Sequence, residues 1–361
     1  MRSIPSGLRY GLAFVPLTLL PLAAAGIHAG IPAALASAFP LLFLFVIVPI
    51  ADTLIGTDRA NVAPEQAASL EDDRHYRWLT WLMVPIWLSH LAWALYVYAT
   101  APLGGAAAAM WIVSLGVVGG VSAINTAHEL IHKTGRLEPG LGGLLLASVI
   151  YAGFKVEHVR GHHVHVSTPL DTSSARLGQS VYDFLPRALV GNAAHAWSLE
   201  AQRLRALNLP ALHWRNELIA WYALSVLIGA AAFFALGWGG VIGFAIQGFV
   251  AAVTLEVINY IEHYGLERRM TDSGRYERVT HHHSWNAAQT LTNAMLFQLQ
   301  RHADHHPNPR RRYQALRHHE DSPQLPGGYA SMFVLALVPP IWRRVVDPRV
   351  RERRIVGVAD A

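Results

Sequence analysis

The sequence predicts an all-α, polytopic membrane protein with six transmembrane helices and a cytoplasmic, histidine-rich helical cap. Three observations predict it. Of 361 residues, 52% are apolar and only 15% are charged, against roughly 25% charged in an average soluble domain. Six stretches are long and apolar enough to cross a hydrocarbon core about 30 Å thick. The polar remainder lies in two long segments, 125–216 and 259–361, which collect most of the 20 histidines. This composition excludes disorder, a collagen-like chain and an ordinary water-soluble enzyme. Cysteine is absent, which excludes a disulfide framework, Cys-ligated zinc, an iron–sulfur cluster and haem-thiolate iron.

The spans fall near residues 10–27, 33–51, 78–99, 103–124, 217–236 and 239–257. The connections at 28–32, 100–102 and 237–238 are short, so the spans pair into three hairpins within one integral-membrane domain. Arg2 and Arg9 ahead of the first stretch, and three alanines at 23–25, also fit a secretory signal. The tight link to the second span favours a retained helix. Residues 141–154 are apolar but short and interrupted by glycine, so they read as re-entrant or interfacial. Residues 330–342 are too short to span and run into Arg343 and Arg344. They read as one helix lying on the membrane surface or packed on the domain.

Positive charge sets the orientation. Residues 125–216 hold 9 and residues 259–361 hold 15 of the 29 lysines and arginines, and the three short connections hold none. Cationic loops stay cytoplasmic, so both termini and both polar segments are expected on the cytoplasmic side of the membrane. The net charge of +5 therefore reports membrane topology, and no basic–aromatic pattern points to nucleic acid. Trp78, Trp81, Trp214, Trp221 and Trp238 read as an interfacial belt. His28 and His90 read as interfacial or packed residues.

Histidine clusters occur at four places in the polar segments. They are His128-Glu129-Leu130-Ile131-His132, Glu157-His158-Val159-Arg160-Gly161-His162-His163, Asn259 to Leu266 around His263, and Leu299 to His306 with His302, His305 and His306. On a helix, residues four apart share a face, which pairs His128 with His132 and His158 with His162. Nine imidazoles gathered at one membrane end would repel one another if protonated, and neutral rings on a metal remove that conflict. One ion takes roughly four to six ligands, so nine imply two ions. Zinc, copper, nickel and iron all accept imidazole. Glu129, Glu157, Glu262 and Asp304 adjoin these histidines and are expected to accept hydrogen bonds from them. Asp171 is a further candidate for that role. Glu256 lies inside the sixth span, where a carboxyl is costly and marks function.

The combined motifs resemble the membrane-bound non-haem di-iron alkane hydroxylases, within the wider fatty-acid-desaturase and hydroxylase group. The run Asn-Tyr-Ile-Glu-His-Tyr-Gly-Leu stands at 259–266, and Leu-Gln-Arg-His-Ala-Asp-His-His stands at 299–306. Pro309, Arg311, Tyr313, Gln314, Leu316 and Arg317 follow, and His-His-Ser-Trp-Asn occupies 282–286. The resemblance implies terminal hydroxylation of n-alkanes to 1-alkanols, with O2 as co-substrate and two non-haem irons. It implies His128, His132, His158, His162, His163, His263, His302, His305 and His306 as metal ligands; Glu256, Glu262 and Asp304, by their position beside them, are the catalytic candidates. Electrons would come from rubredoxin and its NAD(P)H-dependent reductase, a separate protein since this chain has no cysteine. Arg310, Arg311, Arg312 and Arg317 are the expected docking patch, with anchoring to anionic lipid as the alternative. Hydrocarbon substrate would arrive through the bilayer.

Other readings remain open at this stage. A related desaturase or a xylene-type aromatic-methyl hydroxylase would share the fold and metal. His128-Glu129-x-x-His132 also matches the zinc-metalloprotease signature, in which the glutamate is the general base. His75, His165, His195, His213, His281, His318 and His319 read as surface or loop residues, and His282 and His283 have no assigned role.

Overall fold

A computed structural model describes residues 6–359, and among them the chain is helical without a β-strand. Among the described residues, five helices are long and apolar enough to cross a membrane: α1 (Gly7–His28), α2 (Ala33–Ile55), α3 (Arg74–Thr100), α4 (Gly105–Ile131) and a 47-residue α7 (Glu217–His263). At 1.5 Å per residue α7 would be about 70 Å long, twice a bilayer core. It is broken at Gly237, whose φ of 65° and ψ of −155° are non-helical. That backbone region is open to glycine alone. The break leaves two arms, residues 217–236 and 238–263, each of spanning length. Trp238 is exposed at the break, and Trp78 and Trp214 are exposed elsewhere. Trp81 and Trp221 are packed instead: Trp81 Nε1 donates to Glu138 at 3.3 Å, and Trp221 lies under Lys155.

Small residues let α4 and α7 approach closely. A Cβ on Gly116 would stand 2.8 Å from the Gln247 carbonyl, and one on Gly120 would stand 2.8 Å from the Thr254 side chain. Such contacts are how helices pack where water supplies no hydrophobic drive. Residues facing outward, such as Leu54, Val226, Leu227 and Phe234, are strongly exposed and apolar, as a lipid-facing surface requires.

Between the spans, α5 (Leu137–Ser148) and α6 (Val181–Arg205) pack against α7. The last carbonyls of α5 would be orphaned, but Gln247 Nε2 donates to Ser148 O at 3.0 Å and Ser225 Oγ to Ala147 O at 2.9 Å. The 141–154 stretch is thus a buried, side-packed helix ended by Ile150 at φ 55°. Residues 330–342 form two helices, where the sequence suggested one. α9 (Tyr329–Ala336) and α10 (Pro339–Ala359) meet at a break before Pro339, because proline is tolerated at the first helical turn but not inside a continuing helix. Tyr329, Met332 and Ala336 of α9 are buried. The short α8 (His302–His305) lies in the connecting cap. Arg301 fastens that cap by donating to the carbonyls of Leu316, Asp58 and Ala60. Asp52, at the end of α2, accepts from Thr292 N at 3.0 Å.

Candidate metal centre

All nine clustered histidines come together, and they do so as two groups. One holds His128, His132, His158, His163 and His305, and the other His162, His263, His302 and His306. Within each group, one potential ligand atom per residue lies within 4.8 Å of all the others. The groups abut, with the His163 and His306 rings stacked at 4.4 Å and the His162 and His163 rings edge to face at 5.8 Å.

Local backbone decides which ring joins which group. His128 and His132 share a group because α4 stays helical to Ile131, with His132 as its cap. Residues His158–His162 form a π-turn, whose period is longer than that of an α-helix. The pairing expected from an α-helix, His158 with His162, is therefore replaced by His158 with His163. Their Nε2 atoms lie 3.1 Å apart, and His162 turns to the second group. On α8 and its cap, His302 and His306 pair at 2.9 Å between Nε2 atoms while His305 faces His163 at 3.2 Å.

The donor set fits metal ions. A metal–imidazole length of about 2.1 Å puts two ligands at right angles roughly 3.0 Å apart, which matches these nitrogen–nitrogen contacts. The buried Nε2 atoms of His128, His132, His162 and His263 find no hydrogen-bond partner among the described residues. Burial, then the neighbouring rings, pushes His132, His158, His163, His302, His305 and His306 well below the usual histidine range. Neutral rings with free lone pairs are what a cation needs.

Surrounding groups fix the rings. Asp171 accepts from His162 Nδ1 at 3.0 Å and is itself held by Ser173 N and Ser174 Oγ. Burial opposes charge on both, but the pairing wins, holding the Asp171 carboxyl below its usual range and the His162 ring above its own. His263 Nδ1 faces the His283 carbonyl at 3.4 Å. The 282–286 element thereby acquires a role: it braces the end of α7, with Trp285 N donating to Glu262 O at 2.8 Å and Trp285 Nε1 to Tyr264 O at 2.9 Å.

The carboxyls divide by position. Glu262 Oε2 is 3.3 Å from His302 Nε2. Glu256 is buried among Tyr151, Asn192 and Asn259. Asp304 faces away from the rings, bonding Arg311 at 2.6 Å, His319 at 2.9 Å and Arg317 N at 3.0 Å; it positions α8 from behind. Glu157 accepts from His195. Glu129 pairs with Lys133 at 2.8 Å and so is turned from the general-base position the protease signature requires. His318, read as a surface residue, is buried against Asn286 at 2.9 Å. Of the arginine patch, Arg312 is taken up by both oxygens of Glu138 and Arg311 by Asp304, which leaves Arg310 and Arg317 exposed. Tyr151 and Asn192 were invisible in the sequence, since neither carries a motif or a helical spacing that links it to Glu256.

An apolar pocket runs from the membrane helices to the first group. Leu44, Phe45 and Val48 of α2, Val121 of α4, Leu255 and Ile258 of α7, and Phe333 of α9 form its walls. Its head is polar, with Asn125, His128, His158, Asn259 and Glu262.

The family model described as fatty acid desaturase matches residues 103–336. Alkane 1-monooxygenase 2 of Pseudomonas aeruginosa is 54% identical over 85% of this chain and 82% of its own length. Alkane 1-monooxygenase 2 of Alcanivorax borkumensis is 53% identical over 86% of this chain and 82% of its own. The hydroxylase component of a xylene/toluene monooxygenase from Pseudomonas putida is 28% identical over 67% of this chain and 64% of its own.

Proposed function

The chain belongs to the alkane 1-monooxygenases, within the fatty acid desaturase family, and from that premise we propose that it hydroxylates n-alkanes at the terminal carbon. The observation that carries the reading is the apolar pocket whose head is formed by histidines of a nine-donor centre. A terminal C–H bond offers no charge, leaving group or acidic proton, so acid–base and nucleophilic catalysis have nothing to act on. Two non-haem irons, when bound, supply the redox chemistry that uses O2.

The chain's own residues do the rest. His128, His132, His158, His163 and His305 hold one ion, and His162, His263, His302 and His306 hold the other. Asp171 keeps the Nδ1 proton of His162, so its Nε2 lone pair faces the second ion. Leu44, Phe45, Val121 and Phe333 exclude water and align the hydrocarbon along the pocket, presenting its end to the head. Glu262 sits at that head beside His302.

The domain is a single integral-membrane unit of six spans in a bacterial inner membrane, with both termini and the cap cytoplasmic. Substrate enters from the bilayer, and the cap remains free for the electron donor. That donor is rubredoxin, supplied by its NAD(P)H-dependent reductase. The test is direct: purified chain, rubredoxin, reductase, NADH and O2 are given an n-alkane and, separately, xylene. A 1-alkanol as the preferred product supports the reading, and an alkene or a faster benzylic alcohol overturns it.

A further inference from the structure

Glu256 has three polar partners, and these line two different pockets. Tyr151 donates to its Oε1 at 2.5 Å, Asn192 to the same oxygen at 3.1 Å, and Asn259 to Oε2 at 3.1 Å. The carboxyl has no exposed surface. A structural tie between these helices could be made by an amide, at lower cost than a carboxyl inside a membrane helix. What a carboxyl adds is the capacity to hold and release a proton.

On one side, a pocket open to the protein surface has mostly apolar walls, among them Phe154, Leu189, Ala193 and Phe249, and carries the polar groups of Tyr151, Asn192 and Tyr222. It reaches the two residues that bond Oε1. Ile150, a β-branched residue at φ 55°, turns the chain there. On the other side, Asn259 lines the head of the apolar pocket together with Glu262, His128 and His158. Glu256 thus links two residues of the outer pocket to one at the head of the substrate pocket.

The reaction needs such a group. Terminal hydroxylation follows R–H + O2 + 2e⁻ + 2H⁺ → R–OH + H2O, and the electron donor brings no protons through walls of leucine, valine and phenylalanine. Resting on the monooxygenase reading, we propose that Glu256 is the proton relay of the centre, filled through Tyr151 and Asn192 and emptied past Asn259 toward Glu262. In each passage the carboxyl gives its proton to water held in the polar head, where Asn125, Asn259 and Glu262 supply partners. Tyr151 then passes its hydroxyl proton to Oε1 and takes another from water entering the outer pocket. The carboxyl and the phenol end unchanged, and two passages supply the two protons. Glu256 acts through Asn259 and water and touches neither substrate nor metal.

The test compares wild type with Glu256→Gln, Tyr151→Phe and Ala193→Trp, the last filling the outer pocket. At equal iron content, Glu256→Gln should lower alkanol turnover at least tenfold with KM for alkane unchanged, and Tyr151→Phe should raise the solvent deuterium isotope effect on kcat. A second readout uses metal-free protein. The carboxyl infrared band, assigned by its loss in Glu256→Gln and recorded at a pH that protonates it, should shift rapidly on transfer to D2O. Ala193→Trp should slow that shift several-fold. Full turnover in Glu256→Gln, or equal exchange rates in Ala193→Trp and wild type, overturns the proposal. If Glu256→Gln fails to bind iron, Tyr151→Phe and Ala193→Trp decide. Absence of alkanol from wild type would overturn the monooxygenase reading instead, and the exchange measurement separates the two failures.

Discussion

His158 and His163 bring their Nε2 atoms to 3.1 Å although they stand five positions apart. The π-turn at His158–His162 makes this possible and turns His162 the other way, so that one short segment serves both groups. The groups differ in size, five donors against four, and this sets their tolerance to loss. His162→Ala leaves three donors and should lower bound iron to about one per chain. His163→Ala leaves four and should retain most of the iron. Elemental analysis of the purified variants checks the difference, and equal losses would count against the grouping.

Gly116 is where α4 touches the backbone of α7. Leucine there would force the Gln247 carbonyl away, an overpacking that costs about 1–3 kcal/mol. Because α4 carries His128 and His132 and α7 carries His263, separation of the helices also spreads the donors. Gly116→Leu should lower the thermal midpoint in detergent and lower bound iron together, with Gly116→Ala milder on both.

Glu200 anchors a charged cluster at the base of α6. Burial alone would raise its carboxyl, but Arg203, Arg160 and the Glu217 amide hold it at about 2, against 4.5 when unfolded. A depressed carboxyl stabilises the fold in full above the unfolded value, and this contribution fades as pH falls from 4.5 toward 2. Both arginine partners are partly exposed, so Glu200→Gln should cost only about 1–2 kcal/mol at pH 7. Its midpoint should fall less steeply than that of wild type across that acid range, as followed by thermal unfolding at several pH values.

Arg310 and Arg317 remain available at the cap surface, whereas Arg311 and Arg312 hold Asp304 and Glu138. Reversing the first two to glutamate should raise KM for rubredoxin several-fold and weaken its salt dependence, with the thermal midpoint unchanged. Reversing Arg311 or Arg312 should lower the midpoint, because each leaves a buried carboxylate opposite a like charge. Steady-state turnover against rubredoxin concentration, alongside unfolding curves, separates the two pairs.

Much of this molecule is written in local patterns. Apolar length marks α1 to α4 and both arms of α7, and histidine spacing marks all nine donors. What the sequence withheld depends on backbone departures from the ideal helix. The exchange of His162 for His163 follows from a π-turn, and α-helical spacing cannot anticipate it. The division of residues 330–342 follows from Pro339. Glu256 was legible as a costly membrane carboxyl, but its partners Tyr151 and Asn192 come from α5's end and α6, brought near only by tertiary packing. Arg311 and Arg312 read as free surface charge because their acidic partners are not sequence neighbours in a helical register.

Phe333 of α9 stacks on Phe45 of α2 at 4.7 Å, and both line the apolar pocket. One side of that cavity is thus built from segments far apart in sequence, and so is the centre above it, since His305 and His306 join donors that begin at His128. During synthesis the early hairpins enter the bilayer long before either histidine leaves the ribosome. The nascent chain therefore lacks part of the donor set and one wall of the cavity until residues 302–333 have been made.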